Sequence, residues 1–576
     1  MNVDCLPPQR ICRTIDPWTR KTYEISGPVC RMLPGAGTKL SVPQILWSSP
    51  RTPAAARIRE PVACAATGRV RTGETMPARW ARRLTVGIAV LVGLASECPA
   101  MAAPEDASPA RFYHQSLDWK PCGDPDLDAA HADCASVTVP LDYGRPQDRT
   151  ISVALSRIPA TDPARRRGFL LSNPGGPGGP GLKMMLNVGQ TLSPDVRAQY
   201  DLIGMDPRGI GRSDKMNCAL PLPTMMFSAG FDIFGYARDT ALAAALAAAC
   251  VAPDPEKARY ITTRNTARDM DIVRSAFGDA KLNYFGASYG TYLGSVYTQL
   301  FPDHAGRIVL DSNVDPDRYW IGMFQDMGPI NEAGLDDWAG WAARHDDEYH
   351  FGTTASAVRA FVEEMIHRAA AHPVIGSGYL IDEHTVPLMV LALLTNPRAN
   401  PDLAAVVRLI SDGVSGLPID MDQLKAKITA AVPLETAGMA AVLCGDRAAP
   451  RDPAWYYANI ERTRATEPVF GAFANNITAC AYWPDPVEPP TEVHNAVPVL
   501  MLQAERDTRT AYAEGLALHR DLTASRLITL SDTRIHGTFR PVLSPCLIAA
   551  VNHYFAEGVL PDTDITCQPD PNYAPA

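Results

Sequence analysis

Seven short apolar runs set the terms for what this chain can fold into: Ile151 to Ile158, Phe169 to Ser172, Tyr200 to Met205, Lys281 to Phe285, Arg307 to Asp311, Val497 to Gln503 and Arg526 to Leu530. Several are apolar at nearly every position, which suits strands covered on both faces rather than strands with one face in water. Between them lie stretches with helical periodicity, such as Thr266 to Phe277 and Tyr289 to Leu300. Buried strands joined through helices specify an α/β fold with a mostly parallel central sheet, because parallel neighbours need a crossover and the crossover helices cover the sheet. From about Val314 to Asn495 the strand signals fade and helical ones dominate: Glu332 to His345, Ala355 to Ala371, Leu403 to Asp412 and Met421 to Ala431. We read residues 103–315 as the first part of the core, 316–495 as an inserted helical cap, and 496–576 as the C-terminal part of the core. A cap over the carboxyl ends of the strands, where open α/β sheets bind ligands, acts as a lid.

The chain has 576 residues, 46% hydrophobic and 20% charged, which excludes a disordered polyelectrolyte. Its 53 Lys plus Arg against 63 Asp plus Glu exclude the concentrated basic surface of a nucleic-acid binder. The charge is unevenly spread: residues 1–83 carry 14 basic and 5 acidic side chains, residues 103–576 carry 39 and 57. Residues 1–75 show no sustained period and are expected to be an unstructured or untranslated extension. Met76 then opens a segment with Arg79, Arg82 and Arg83, an apolar run of about twelve residues from Leu84 to Ala95, and Ala100-Met101-Ala102. Residues 76–102 read as a secretory signal peptide, since the apolar run falls short of the roughly 20 residues a membrane span needs. The expectation is translation from Met76, a mature chain from about Ala103, a periplasmic or extracellular location, and no stable membrane association. A native N-terminus upstream of Met76, read by mass spectrometry, overturns it.

Export changes how the cysteines are read. The mature chain keeps eight, and none forms a C-x-x-C metal or redox pair. An even number in an exported protein favours disulfides, although eight cysteines allow 105 connectivities and sequence alone does not choose. Sequential pairing closes the shortest loops: 122–134, 218–250, 444–480 and 546–567.

Chemistry enters at Gly286-Ala287-Ser288-Tyr289-Gly290, after one apolar run and before a helix. A serine on a tight strand-to-helix turn needs small neighbours, and its Oγ projects above the sheet. The helix dipole and the Tyr289 N–H then lie beside any developing oxyanion. A second donor should come from a loop after an earlier strand, and Asn173 to Gly181, a run of Gly and Pro, follows Phe169 to Ser172; the Gly176 N–H is the candidate. That run has no Lys-Ser/Thr pair, so it is not a phosphate cradle. A serine needs a base and the base an orienting acid, both downstream in a Ser, Asp, His order. Asp507 follows Val497 to Gln503 at a polar turn, and His536 follows Arg526 to Leu530 on a loop. Asp311 is the rival acid and Glu505 a weaker one; His519 and His553 sit in helical patterns and are poorer bases. The chemistry calls for no cofactor and no metal.

The motifs Asn173 to Gly181, Asp206-Pro207-Arg208-Gly209-Ile210-Gly211-Arg212-Ser213, Arg268-Asp269-Met270-Asp271, the Ser288 turn, Asp311-Ser312-Asn313-Val314-Asp315-Pro316 and the tail Cys546 to Cys567 occur in one order. Over residues 110–570 the chain resembles the secreted tripeptidyl aminopeptidases, in the proline-iminopeptidase-like branch of the α/β-hydrolases. The resemblance implies Ser288 as nucleophile, Asp507 as acid and His536 as base. It also implies exopeptidase action on peptides with a free N-terminus under a helical cap, and it supports the sequential disulfides. The chain departs from that pattern around the acid, reading Asp507-Thr508-Arg509-Thr510-Ala511 where a Pro and a Thr-Pro pair are usual, and Arg534-Ile535 precede His536 in place of glycine. Both departures bear on the substrate accepted. Glu332, Asp336, Asp337 and Asp446 are the cap carboxylates considered for holding a cationic α-amine. A secreted carboxylesterase or acyltransferase with the same triad is the alternative, because a fold does not decide a substrate.

Overall fold

The computed structural model describes residues 3–5, 11–15, 22–26, 109–219, 224–376, 379–431 and 435–573. Among these, ten strands form one sheet: β1 (Lys120–Pro121), β2 (Asp133–Pro140), β3 (Thr150–Ile158), β4 (Gly168–Asn173), β5 (Tyr200–Met205), β6 (Leu282–Ala287), β7 (Ala305–Asp311), β8 (Val499–Ala504), β9 (Arg526–Leu530) and β10 (Ile565–Cys567). Their spatial order is β10-β9-β8-β7-β6-β4-β5-β3-β2-β1. From β10 to β5 every neighbouring pair is parallel, and β3, β2 and β1 complete the other edge antiparallel.

The continuously apolar runs are explained by alternate residues entering different cores. Leu171, Tyr284 and Leu310 point into one layer, whereas their neighbours Leu170, Phe285 and Val309 point into the other. The seven runs expected from sequence are all strands, shifted by at most two residues at an end. β1, β2 and β10 were not anticipated. The first two pair antiparallel at an edge where one face is partly exposed, so they lack a long apolar run, and β10 has three residues.

Register positions the site. Asn173 pairs with Gly286, Ala287 with Asp311, and Asp311 with Leu502, so β4, β6, β7 and β8 reach their carboxyl ends at one level. The loops leaving these strands converge at that rim.

The helices α1 (Ile233–Val251), α2 (Thr263–Ala276) and α3 (Tyr289–Leu300) precede a helical region containing α4 (Ile321–Arg344), α5 (Ala355–Ala371), α6 (Val386–Leu393), α7 (Asn400–Val414), α8 (Met421–Ala431) and α9 (Thr436–Asp446). Trp338, Val362, Met365, Val390, Val407 and Phe470 form a buried cluster of this region's own. The helical roof is not confined to residues 316–495. Tyr236 and Ala243 of α1 are buried with Tyr456, Ile460 and Ile477, and the Ala229 N–H donates to Ala472 O at 3.0 Å. His384 ties the two segments, donating from Nδ1 to Ser228 O (2.7 Å) and lying 3.1 Å from Asp239. Burial would lower its pKa, but hydrogen bonds to Asp239 and Glu383 outweigh that and raise it to about 9. An alanine-rich helix has too little relief to signal such a partner from sequence.

Disulfides join Cys122 to Cys134, Cys218 to Cys250, Cys444 to Cys480 and Cys546 to Cys567, the four sequential pairs. Within residues 1–75, read from sequence as an unstructured or untranslated extension, Val3–Cys5, Ile11–Ile15 and Thr22–Ser26 pair as an antiparallel sheet; their β-branched and aromatic residues favour strands. Residues 76–102, read as a signal peptide, lie outside the described residues. Among the described residues, no helix is long and apolar enough to cross a membrane.

Candidate active site

Ser288 sits between the end of β6 and the start of α3, at φ 58° and ψ −126°, a conformation that side chains seldom adopt. Its backbone N–H donates to Asp311 O (2.9 Å), fixing the turn to β7. A Cβ on Gly286 would lie 2.3 Å from Gly290 O, so the turn closes only with glycine there. Tyr289 opens the helix, and its N–H therefore has no partner within it.

The Gly/Pro loop leaving β4 is pressed against this turn. A Cβ on Gly175, which has φ +92°, would stand 2.5 Å from Ala287 O and 2.9 Å from Ser288 Cβ. The Gly175 N–H is taken by Asn173 Oδ1 (2.9 Å), whereas the Gly176 N–H has no partner among the described residues. Asp206 holds the far end of the loop, accepting from the N–H groups of Gly181 (2.7 Å) and Leu182 (3.1 Å). Gly175→Ala is expected to push the loop off the turn and cut kcat by about 10²–10³-fold, the effect of losing one oxyanion donor. Steady-state assay of the purified variant checks this; activity within twofold of wild type refutes the loop's role.

Asp507 and His536 leave the ends of β8 and β9. The imidazole Nδ1 lies 2.9 Å and 3.0 Å from the two carboxylate oxygens. Asp507 also accepts from the N–H of Arg509 (2.8 Å) and the Thr510 hydroxyl (3.1 Å). Burial would raise the Asp507 pKa, but the adjacent His536, the Arg509 N–H and the Ser312 hydroxyl outweigh it and hold the carboxyl below the ordinary range.

Asp311, the rival acid, does something else. It accepts from Thr538 N (2.8 Å), Thr538 Oγ1 (2.8 Å) and Phe539 N (2.9 Å), and beside it Ser312 Oγ accepts from Gly537 N (2.8 Å). Asp311 and Ser312 thus pin the loop that carries His536. Ser312 and Thr510 were not singled out individually by sequence, because hydroxyls acting through a loop leave no spacing to read. Of the poorer alternatives, His519 is bonded to Ser525 (2.6 Å), His553 is exposed on the helix Pro545–Glu557, and Glu505 accepts from Asp532 N (2.8 Å).

Ser288, His536, Gly175 and Gly176 line one cavity of about 710 Å³, walled by Met226, Met323, Phe324, Met327, Leu388 and Met439. Its size suits a short peptide or a drug-sized ligand. None of the four cap carboxylates lines it. Glu332 accepts from Val469 N and Phe470 N and pairs with Arg359, which also binds Asp336; Asp337 binds Arg506 and Arg534. Asp446 is buried behind the serine turn, accepting from Thr263 Oγ1 (2.5 Å) and Tyr319 Oη (3.0 Å), with burial lifting its pKa to about 7. The carboxylates that do line the cavity, among the described residues, are Asp124 and Asp206.

Known proteins share this arrangement's sequence. Residues 169–403 match the family model described as alpha/beta hydrolase fold, and residues 467–567 the one described as TAP-like protein. The tripeptidyl aminopeptidase of Streptomyces lividans is 34% identical over 491 residues, 80% of this chain and 88% of that protein. Serine protease Hip1 of Mycobacterium tuberculosis is 28% identical across 79% of this chain and 91% of its own length. A protein of the same organism named carboxylesterase B is 28% identical over 86% of this chain and its own full length. A third of the residues shared with the Streptomyces protein along nearly its whole length, on a mostly parallel sheet with the serine at a strand-to-helix turn, means that the chain belongs to the tripeptidyl aminopeptidase family of α/β-hydrolases.

Proposed function

We propose that this chain is a serine exopeptidase that releases tripeptides or other short peptides from free N-termini, with Ser288 as nucleophile, His536 as base and Asp507 as the acid that orients it. The observation that carries this reading is the His536 imidazole, held through Nδ1 by a buried carboxylate while its ring and Ser288 open on the same cavity. His536 removes the Ser288 proton as Oγ attacks the carbonyl, and the Tyr289 and Gly176 N–H groups receive the oxyanion. His536 then passes the proton to the departing amine, and water, activated by the same imidazole, hydrolyses the acyl-enzyme and regenerates Ser288. Peptides are the substrates named for its Streptomyces relative. Residues 316–495 together with α1 serve as the cap, and residues 76–102 direct export. The four disulfides suit an oxidising compartment.

The relative named carboxylesterase B keeps an ester-cleaving reading in view. Hydrolysis of Ala-Ala-Pro-p-nitroanilide, its N-acetylated form and p-nitrophenyl butyrate separates the two. Cleavage confined to the free-amine peptide is expected. Ester cleavage alone retains the triad and rejects the peptidase reading.

A further inference from the structure

The cavity contains a cation that this mechanism does not use. Arg509 serves the triad through its main chain, but its guanidinium lines the cavity, donating to Leu391 O (2.7 Å) on α6 and to Asn331 Oδ1 (3.4 Å) on α4. Among the described residues no carboxylate lies within ion-pair distance of it. Burial depresses its pKa to about 10, opposed by Asp507, so it stays charged at neutral pH. Arg540 lines the same cavity from the His536 loop, and among the described residues its guanidinium donates to Gly537 O (2.7 Å) and His536 O (2.8 Å), with no carboxylate partner.

The opposite wall differs. Lys183 is paired with Asp124 at 2.9 Å and Asp126 at 2.8 Å, and Arg212 lies 3.9 Å from Asp124. Among the described residues, the cations on the glycine-loop side are therefore ion-paired, whereas Arg509 and Arg540 on the histidine side are not and feel Asp507 only at longer range. His536 hands its proton to the leaving amine, so the groups flanking it face the part of the substrate that departs. A partly desolvated guanidinium with open N–H donors is completed best by a carboxylate, which its planar fork can take in bidentate fashion.

We propose that Arg509, assisted by Arg540, forms a carboxylate-binding subsite on the leaving-group side of Ser288. The carboxylate comes from an acidic side chain just after the scissile bond or from the C-terminus of a short leaving peptide. The proposal rests on the exopeptidase reading above.

Four peptides test it by kcat/KM: Ala-Ala-Pro-Asp-Ala-amide against Ala-Ala-Pro-Asn-Ala-amide for a side chain, and Ala-Ala-Pro-Ala against Ala-Ala-Pro-Ala-amide for a terminus. One acidic member is expected to be favoured about 10- to 100-fold over its neutral partner. Arg509→Gln should bring that ratio toward one, and Arg509→Lys should keep part of it. Each ratio is taken within one protein, so partial misfolding of a variant does not distort it, and the wild-type ratios test the subsite without any variant. Neutral peptides cleaved as well as acidic ones by wild type, or a preference that survives Arg509→Gln, overturn the subsite and leave Arg509 as a latch between cap and core. Cleavage of none of the four overturns the exopeptidase reading, and the subsite with it.

Discussion

Replacing Ser288 with alanine is expected to lower kcat on the tripeptide anilide by on the order of 10⁴–10⁶-fold, with little change in Tm. The change removes one oxygen from a half-buried side chain, and the turn is fixed by backbone contacts: Ser288 N–H to Asp311 O at 2.9 Å and Thr291 N–H to Ser288 O at 2.8 Å. Alanine fits the same strained turn. His536 remains on Asp507, and the Gly176 and Tyr289 N–H groups remain in place, so residual rate over water from binding and oxyanion stabilisation is expected to survive. Labelling by a fluorophosphonate should vanish in parallel. A variant retaining more than a hundredth of wild-type kcat removes Ser288 from the mechanism.

Asp507→Asn is expected to cost about 10⁴-fold in kcat. The Asp507 carboxylate accepts from His536 Nδ1–H, which in the proposed mechanism leaves Nε2 to take the serine proton. An amide in its place turns an N–H toward Nδ1 and stabilises the wrong tautomer. Asp311→Asn supplies the contrast. Its carboxyl receives Thr538 N–H, Thr538 Oγ1–H and Phe539 N–H, so its loss should loosen the histidine loop, lower Tm more and reduce kcat less than Asp507→Asn. Thermal denaturation beside steady-state kinetics on both variants checks the pair; a larger kcat loss from Asp311→Asn would make Asp311 the acid. The pH dependence follows from the depressed Asp507 pKa. Its contribution to stability is present above the unfolded carboxylate value of about 3.9 and disappears as pH falls through the lower folded value. The carboxylate is therefore ionised across the neutral range, where the base must work.

Local pattern determined a good deal of this molecule. Apolar runs such as Phe169 to Ser172 are covered on both faces whichever strands lie beside them, so they announce a buried parallel sheet. Gly286-Ala287-Ser288-Tyr289-Gly290 announces its turn, because only small residues permit the approach of Gly286 to Gly290 O. The pairing of Asp507 with His536 was legible because each follows a late strand at a polar turn. Sequential cysteine pairing was one of 105 connectivities, favoured by its short loops and by the family resemblance, and the structure selects it.

Contacts made across the sheet order were a matter for the tertiary structure. The motif residues Arg208 and Asp269 are 61 positions apart yet form a buried pair at 2.6 Å and 2.7 Å, which neither motif reveals by itself. Asp311 looked like a catalytic acid at the end of a strand, and only its three donors from residues 538 and 539 show it holding the histidine loop. Glu332, Asp337 and Asp446 looked like free cap charges, and only packing shows each neutralised by an arginine or by buried donors away from the cavity. Arg509 drew attention in the sequence as a departure around the acid; its position in the cavity wall, with no ion-paired carboxylate among the described residues, exists only once α4, α6 and the β8 loop are brought together. Sequence periodicity reports which face of an element is buried, because burial is an average property of that element. It does not report which charge meets which, because that depends on register and loop closure between segments hundreds of residues apart.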